Sequence, residues 1–174
     1  MKNGDYQPIK ALYDNAPQGP GTDNGYAMYL ATQCTDAAWP TVWATWERDN
    51  TRVNAIAPLY TWPNAWFNAP CLYWPAKPGT PVQVDGSKAP PSLLIDETLD
   101  APTPYAGSLE TRALLPNSVL LAEPGGVTHA ESTSSTPCVI STITAYLADG
   151  TLPPRKPGEG KADATCAAPQ LPAP

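Results

Sequence analysis

The strongest constraint on the fold is a cadence that runs from Ser92 to His129. Leu93, Leu94 and Ile95 form a short apolar run of the kind that becomes a buried strand. An acidic cluster follows at once: Asp96, Glu97 and Asp100. Thr103-Pro104 then offers a helix start, with threonine as N-cap and proline at the first helical position, for a helix over Tyr105 to Leu115. A second apolar run, Ser118 to Ala122, follows Pro116-Asn117. It ends in a Gly125-Gly126 loop that leads to His129, the one histidine of the sequence. The order is strand, acid, helix, strand, histidine, and this alternation predicts an α/β arrangement.

The rest of the chain sets bounds. At 174 residues and 42% hydrophobic content it is long enough for one modest domain with a core. The 23 prolines predict short elements and much irregular chain. A net charge of −6 gives no basic surface for nucleic acid or for an anionic membrane. No apolar run approaches the roughly 20 residues that span a bilayer. The start, Met1 to Tyr6, is polar and has no leader peptide, as expected of a fragment whose true amino terminus lies upstream.

Cysteines stand at positions 34, 71, 138 and 166, and four cysteines allow three pairings. None forms a Cys-x-x-Cys pair, and one histidine is too few for common zinc sites, so neither metal nor cofactor is expected. The sequential pairing is favoured. Cys34–Cys71 would tie the ends of a Trp-rich segment, and Cys138–Cys166 would pin a proline-rich tail, each contributing roughly 2–4 kcal/mol. Disulfides imply a secreted or extracytoplasmic protein. Four unpaired buried thiols are the alternative.

Four segments are expected: a polar lead-in over 1–24, a Trp-rich helical portion over 25–75, an α/β portion over 76–152, and a proline-rich tail over 153–174 tethered by Cys166. Within the lead-in a short helix is expected over Ile9 to Tyr13. Gly25 to Thr32 reads as a buried helix or strand. Pro40 opens a helix in which Val42, Trp43, Trp46, Val53, Ile56, Ala57 and Tyr60 recur every three or four positions, with Asn50-Thr51 as a weak point. All six tryptophans fall between 39 and 74. They either build a small helical core or line a cavity. Residues 75–91 read as a loop. A last helix starts at Thr136-Pro137, buries Val139, Ile140, Ile143, Tyr146 and Leu147, and ends at Gly150.

Three runs carry a resemblance: Leu99-Asp-Ala-Pro-Thr-Pro-Tyr-Ala-Gly-Ser-Leu-Glu110, Gly125-Gly-Val-Thr-His-Ala130, and Cys138 with Tyr146-Leu-Ala-Asp-Gly-Thr-Leu-Pro-Pro154. Together they resemble the carboxyl-terminal domain of tripeptidyl-aminopeptidase-like α/β-hydrolases. These are secreted actinobacterial serine peptidases of the proline-iminopeptidase type, and their relatives. The likeness covers about residues 25–166 and is strongest over 92–150. It implies the carboxyl-terminal part of an α/β-hydrolase fold, its last strands and helices, preceded by part of a helical cap. It also implies that Asp100, in Leu-Asp-x-x-Thr-Pro, and His129 are the acid and base of a Ser-Asp-His triad. Asp96 and Glu97 compete for the acid's place. In the family, the Cys-x-Asp of Cys34-Thr35-Asp36 lies near the active-site cavity.

An enzyme that trims peptides from a free amino terminus needs a carboxylate to meet the ammonium. By position, Asp36, Glu97 and Glu123 are candidates. The family's nucleophile sits in Gly-x-Ser-x-Gly, and no such motif occurs in the sequence. The expected activity is therefore that of the carboxyl-terminal portion of a secreted serine hydrolase. It would act on peptides or small esters and be inactive without its amino-terminal half. The alternative is a stand-alone, disulfide-stabilised binding module with a Trp-rich face.

Overall fold

The computed structural model describes residues 6, 7, 10, 11 and 23–170. The helix expected over Ile9 to Tyr13 lies outside the described residues except for Lys10 and Ala11, which are helical. The chain divides into two compact units, Met1–Val82 and Gln83–Pro174.

The first unit is helical among its described residues. α1 spans Asp23–Asp36, so the ambiguous apolar stretch is helix. Ala27, Met28, Leu30 and Ala31 all favour that state. α2 spans Trp43–Asn54 and α3 spans Thr61–Asn68, followed by a 3₁₀ turn over Ala69–Tyr73. The helix predicted from Pro40 to Tyr60 is thus shorter than expected, for two reasons. Pro58 would clash with the carbonyl of Asn54 four residues earlier, so α2 stops there. The resulting turn leaves Ile56 and Tyr60 exposed rather than buried. Nor does the helix break at Asn50-Thr51. Asn50 Nδ2 donates to the Trp46 carbonyl at 2.8 Å and so sits within the helix.

A disulfide joins Cys34 on α1 to Cys71 in the 3₁₀ turn. Around it Leu30, Tyr29, Trp39 and Trp74 form a small core. Trp39 and Trp46 serve both expected roles, core and cavity wall. Trp46 is buried and stacks on Trp39 at 5.5 Å, whereas Trp66 stacks on Trp43 at 4.9 Å and stays exposed. Trp39 and Trp46 also wall a cavity of about 310 Å³ with Asp49, Asn50, Asn64 and Asn68.

The second unit is α/β. β1 spans Ser92–Glu97, α4 spans Tyr105–Leu114 and β2 spans Ser118–Glu123. α5 is a single turn at Ser132–Ser135, α6 spans Pro137–Asp149 and β3 is Ala164–Thr165. The sheet is parallel, in the order β1-β2-β3. β1 and β2 run in register from Ser92↔Ser118 to Glu97↔Glu123. β2, the middle strand, is buried along its whole length, as a parallel strand covered on both faces must be.

Alternation along β1 sends Leu93, Ile95 and Glu97 to one face and Leu94 and Asp96 to the other. On the first face Leu93 and Ile95 meet Leu121, Val139 and Ile143 of α6, and the Cys138–Cys166 disulfide closes the cluster. On the second face Ser108 of α4 donates to Asp96.

Two predicted caps behave differently. Thr136, Pro137 and Gly150 delimit α6 at the expected positions, with Gly150 in the left-handed region at φ 78° and donating to the Tyr146 carbonyl, but the Thr136 hydroxyl makes no capping bond. Thr103 does not cap α4. Its hydroxyl is engaged by Asp100, and Pro104 stands at the cap instead. The buried stripe of α6 is also narrower than expected, because Ile140 and Leu147 are exposed.

The tail holds the strand that the sequence did not announce. Asp163 N donates to the Leu120 carbonyl and Cys166 N to that of Ala122, so β3 extends the sheet beside β2. No helix among the described residues is long and apolar enough to cross a membrane.

Candidate active site

The carboxyl ends of β1 and β2 build the site. After Glu97 the chain turns: Asp100 N donates to the Glu97 carbonyl at 2.9 Å, Thr98 N to Glu123 at 3.1 Å and Leu99 N to Gly126 at 2.9 Å. Gly125 N reaches the Thr98 hydroxyl at 2.8 Å. The two strand-end loops are thereby stitched together, and the first presents Asp100 to the second.

Asp100 is buried and its Oδ2 lies 2.8 Å from His129 Nδ1. Thr103 donates its hydroxyl to the same oxygen at 2.6 Å and its backbone N–H to Oδ1 at 3.4 Å. These Thr103 bonds, and then the His129 bond, hold the Asp100 carboxyl below its ordinary range despite burial. An ionised acceptor at Nδ1 requires that nitrogen to carry the proton. The lone pair then lies on Nε2, on an imidazole whose side chain is 57% exposed. Such an arrangement can accept a proton at Nε2 while Asp100 orients the ring and stabilises the imidazolium.

Asp96 lines the same small cavity, about 70 Å³, with Asp100, Thr103 and His129. It faces α4, takes the Ser108 hydroxyl, and makes no bond to the histidine. Its second oxygen is buried without a partner, and burial raises its carboxyl above the ordinary range. Of the three acids in the cluster, Asp100 is the one that touches His129.

The carboxylates proposed to meet an ammonium fall in three different settings. Glu97 is buried and both its oxygens accept bonds from the His129 loop: Thr128 N at 2.7 Å, the Thr128 hydroxyl at 2.6 and 2.8 Å, and Ser132 N at 3.1 Å. With its oxygens taken, it is a loop anchor rather than a receptor for an incoming charge. Glu123 is fully buried, and neither of its oxygens has a partner or reaches solvent. With Glu97, Gly126 and Thr128 it lines a cavity of about 390 Å³. Asp36 is exposed at the end of α1 in the first unit. Among the described residues no cluster of three or more His, Cys, Asp or Glu side chains is placed to hold a metal ion.

Three further residues stand at the site: Thr103, which the sequence suggests as a helix cap, and Thr128 and Ser132, to which it gives no role. A threonine three positions after a loop aspartate is a local signal for a carboxylate-bonded turn, and it was present in Asp100-Ala-Pro-Thr103. The bonds from Thr128 and Ser132 to Glu97 span 31 and 35 positions and leave no such trace.

Comparison with known proteins identifies the family. Residues 57–166 match the family described as TAP-like protein, a group of α/β-hydrolases. The chain is 40% identical over 153 residues to a tripeptidyl aminopeptidase of Streptomyces coelicolor. That alignment takes in 87% of the chain but 27% of the relative, at its carboxyl-terminal part. It is 26% identical over 155 residues to carboxylesterase B of Mycobacterium tuberculosis, covering 87% of the chain and 29% of that protein. It is 29% identical over 110 residues to serine protease Hip1 of the same species, covering 61% and 21%. The chain thus spans about a quarter of the length of the curated relatives it matches. No solved structure gives a significant match. From the match over 57–166, and from the parallel strands and loops that carry it, the chain belongs to the TAP-like family of α/β-hydrolases, as the carboxyl-terminal portion of such a hydrolase.

Proposed function

We propose that this chain supplies the acid and the base of a serine hydrolase, Asp100 and His129, to a nucleophile carried elsewhere. The observation that supports the reading is the 2.8 Å bond from His129 Nδ1 to a buried, Thr103-bonded Asp100, with the other side of the ring open. In the reaction, His129 Nε2 takes the proton of an attacking serine hydroxyl and returns it to the leaving amine or alcohol. Asp100 remains ionised and stabilises the imidazolium formed in between. No Gly-x-Ser-x-Gly occurs in the sequence.

The substrate class in this reading is a peptide with a free amino terminus, as the name of the Streptomyces relatives suggests, with small esters as the other class. By position the candidates for the ammonium are Asp36, Glu97 and Glu123, of which Asp36 is open to solvent. Two disulfides favour a secreted or extracytoplasmic setting. The partner is the amino-terminal part of such a hydrolase, which carries the serine.

The test is reconstitution. The chain by itself is expected to leave tripeptidyl-anilide and ester substrates intact. Adding the nucleophile-bearing half of a TAP-like hydrolase is expected to give hydrolysis that depends on His129. Activity in the chain alone, or activity undiminished in His129→Ala, overturns the proposal.

A further inference from the structure

Glu97 occupies the last position of β1 and is 3% exposed, yet its carboxyl lies below the ordinary range. Burial opposes the charged form. The Thr128 hydroxyl and the Ser132 and Thr128 backbone N–H groups together outweigh it. The donors bracket the histidine: Thr128 precedes His129 directly and Ser132 follows it by three positions. One carboxylate thus grips the main chain on both sides of the imidazole, while Asp100, three residues further along the same loop, holds its Nδ1. The spanned segment needs holding, because Ala130 sits at φ 61°, a left-handed conformation that is costly for a residue with a Cβ.

The loop is also shaped around this side chain. A Cβ on Gly126 would come within 3.0 Å of Glu97 Cβ and 3.1 Å of its Cγ and Oε2. Glycine there lets the carboxylate pass beneath the loop. Glu123, the register partner of Glu97 on β2, is equally buried and makes none of these bonds.

We propose that Glu97 is a positioning residue, whose carboxylate fixes the 128–132 backbone and so aims the His129 imidazole at Asp100. The inference rests on the Asp100–His129 reading, and its test separates the two. The 174-residue chain is labelled with ¹⁵N-histidine and, where solubility requires it, joined by an unlabelled amino-terminal half. His129 is the only histidine of the chain, so one imidazole spectrum reports the site. Wild type is expected to show the Nδ1–H tautomer, with a slowly exchanging Nδ1 proton. A wild-type spectrum like that of free histidine overturns both readings.

Glu97→Gln replaces one acceptor oxygen with an NH₂ group that faces the Thr128 or Ser132 N–H. It is expected to speed exchange of the Nδ1 proton by about tenfold or more and to mix the tautomers. Glu123→Gln, which replaces a buried carboxyl without breaking a bond to the loop, is expected to leave the imidazole spectrum as it was. If Glu97→Gln fails to fold, Thr128→Val carries the test by removing the hydroxyl bonds alone, with a smaller change in the same direction. In the reconstituted hydrolase Glu97→Gln is expected to lower kcat by about 10²-fold with KM little changed, since misplacing a catalytic group by an ångström has that effect. A folded Glu97→Gln whose imidazole spectrum matches wild type overturns the positioning role while leaving Asp100 and His129 in place. A Glu123→Gln spectrum changed as much as that of Glu97→Gln also overturns it.

Discussion

Arg112 and Asp163 form a two-pronged ion pair in the interior, with Nε to Oδ2 at 2.8 Å and a terminal nitrogen to Oδ1 at 2.6 Å. Both side chains are essentially inaccessible to solvent. Arg112 also donates to the carbonyls of Lys156 and Gly158, and Asp163 also receives the N–H groups of Leu120 and Lys156. Every strong hydrogen-bonding direction of the carboxylate is used. A helix facing the sheet, the middle strand and the tail are therefore joined through one polar contact. The pair is weak evidence for net stability on its own, since burying two charges is costly. Breaking it is another matter.

Asp163→Ala would leave Arg112 charged and buried and would orphan two backbone donors. Destabilisation of about 3–5 kcal/mol is expected, read as the shift in urea midpoint of the oxidised protein. A loss below 1 kcal/mol would remove the ion pair from any account of how the tail is held.

The same residue sets an acid limit. Its four donors, against the opposing effect of burial, bring the Asp163 carboxyl down from 3.8 to about 2. A depressed folded-state value means that its contribution, about 2 kcal/mol, is fully present above the unfolded value near 4 and is lost as pH falls toward 2. Stability measured by denaturant is therefore expected to decline between pH 4 and pH 2. The Asp163→Asn variant is expected to show a shallower decline over that window.

In the reconstituted hydrolase, His129→Ala is expected to cost several powers of ten in kcat, since triad members act as a unit. Asp100→Asn is expected to cost about 10⁴-fold, because an amide can present the wrong partner to Nδ1. Asp96→Asn is expected to cost little activity, since Asp96 bonds Ser108 and not the histidine. That variant should also be as stable as wild type or more so near neutral pH. A carboxyl whose folded value is raised loses its proton from the folded state only at a cost, and the amide has no proton to lose. Steady-state kinetics and thermal melts at pH 7 check both halves.

The strand, acid, helix, strand, histidine order was legible because each junction is written in local chemistry. Apolar runs mark β1 and β2, Pro104 marks the start of α4, and Thr136, Pro137 and Gly150 mark α6. Asp100 and His129 could be named because Leu-Asp-x-x-Thr-Pro and the Gly-Gly-Val-Thr-His run carry the family resemblance. What was not legible depends on distance in sequence or on brevity. β3 is two residues with no periodicity to detect, and Arg112 meets Asp163 across 51 positions. The end of α2 was readable from Pro58 but was masked by Ile56 and Tyr60, whose spacing continues the helical pattern while their side chains stay exposed. Glu97 was visible as an acid in the cluster, but nothing nearby in the sequence reveals what accepts its charge.

β1 carries one edge with no partner strand among the described residues, and apolar side chains such as Ile56, Leu59 and Tyr73 are exposed in the first unit. Open edges invite pairing with other chains. The isolated chain is expected to self-associate and to bind a hydrophobic dye, and to lose both properties when the amino-terminal half is supplied. Sedimentation and dye fluorescence measure this. A monomeric, dye-silent chain that unfolds cooperatively would show that the edge needs no cover.

β3 adds two residues to the ladder, and it is kept there by a disulfide to α6 and by Asp163. Order of assembly follows. β1, α4 and β2 are consecutive in the chain, so their contacts close short loops and form early. The tail must find its place across 28 positions between Cys138 and Cys166, and its bond forms on the slower timescale of thiol oxidation. Completion of the sheet thereby comes in two stages: Asp163 can seat the tail beside β2 at once, and oxidation of Cys138 and Cys166 then locks it there.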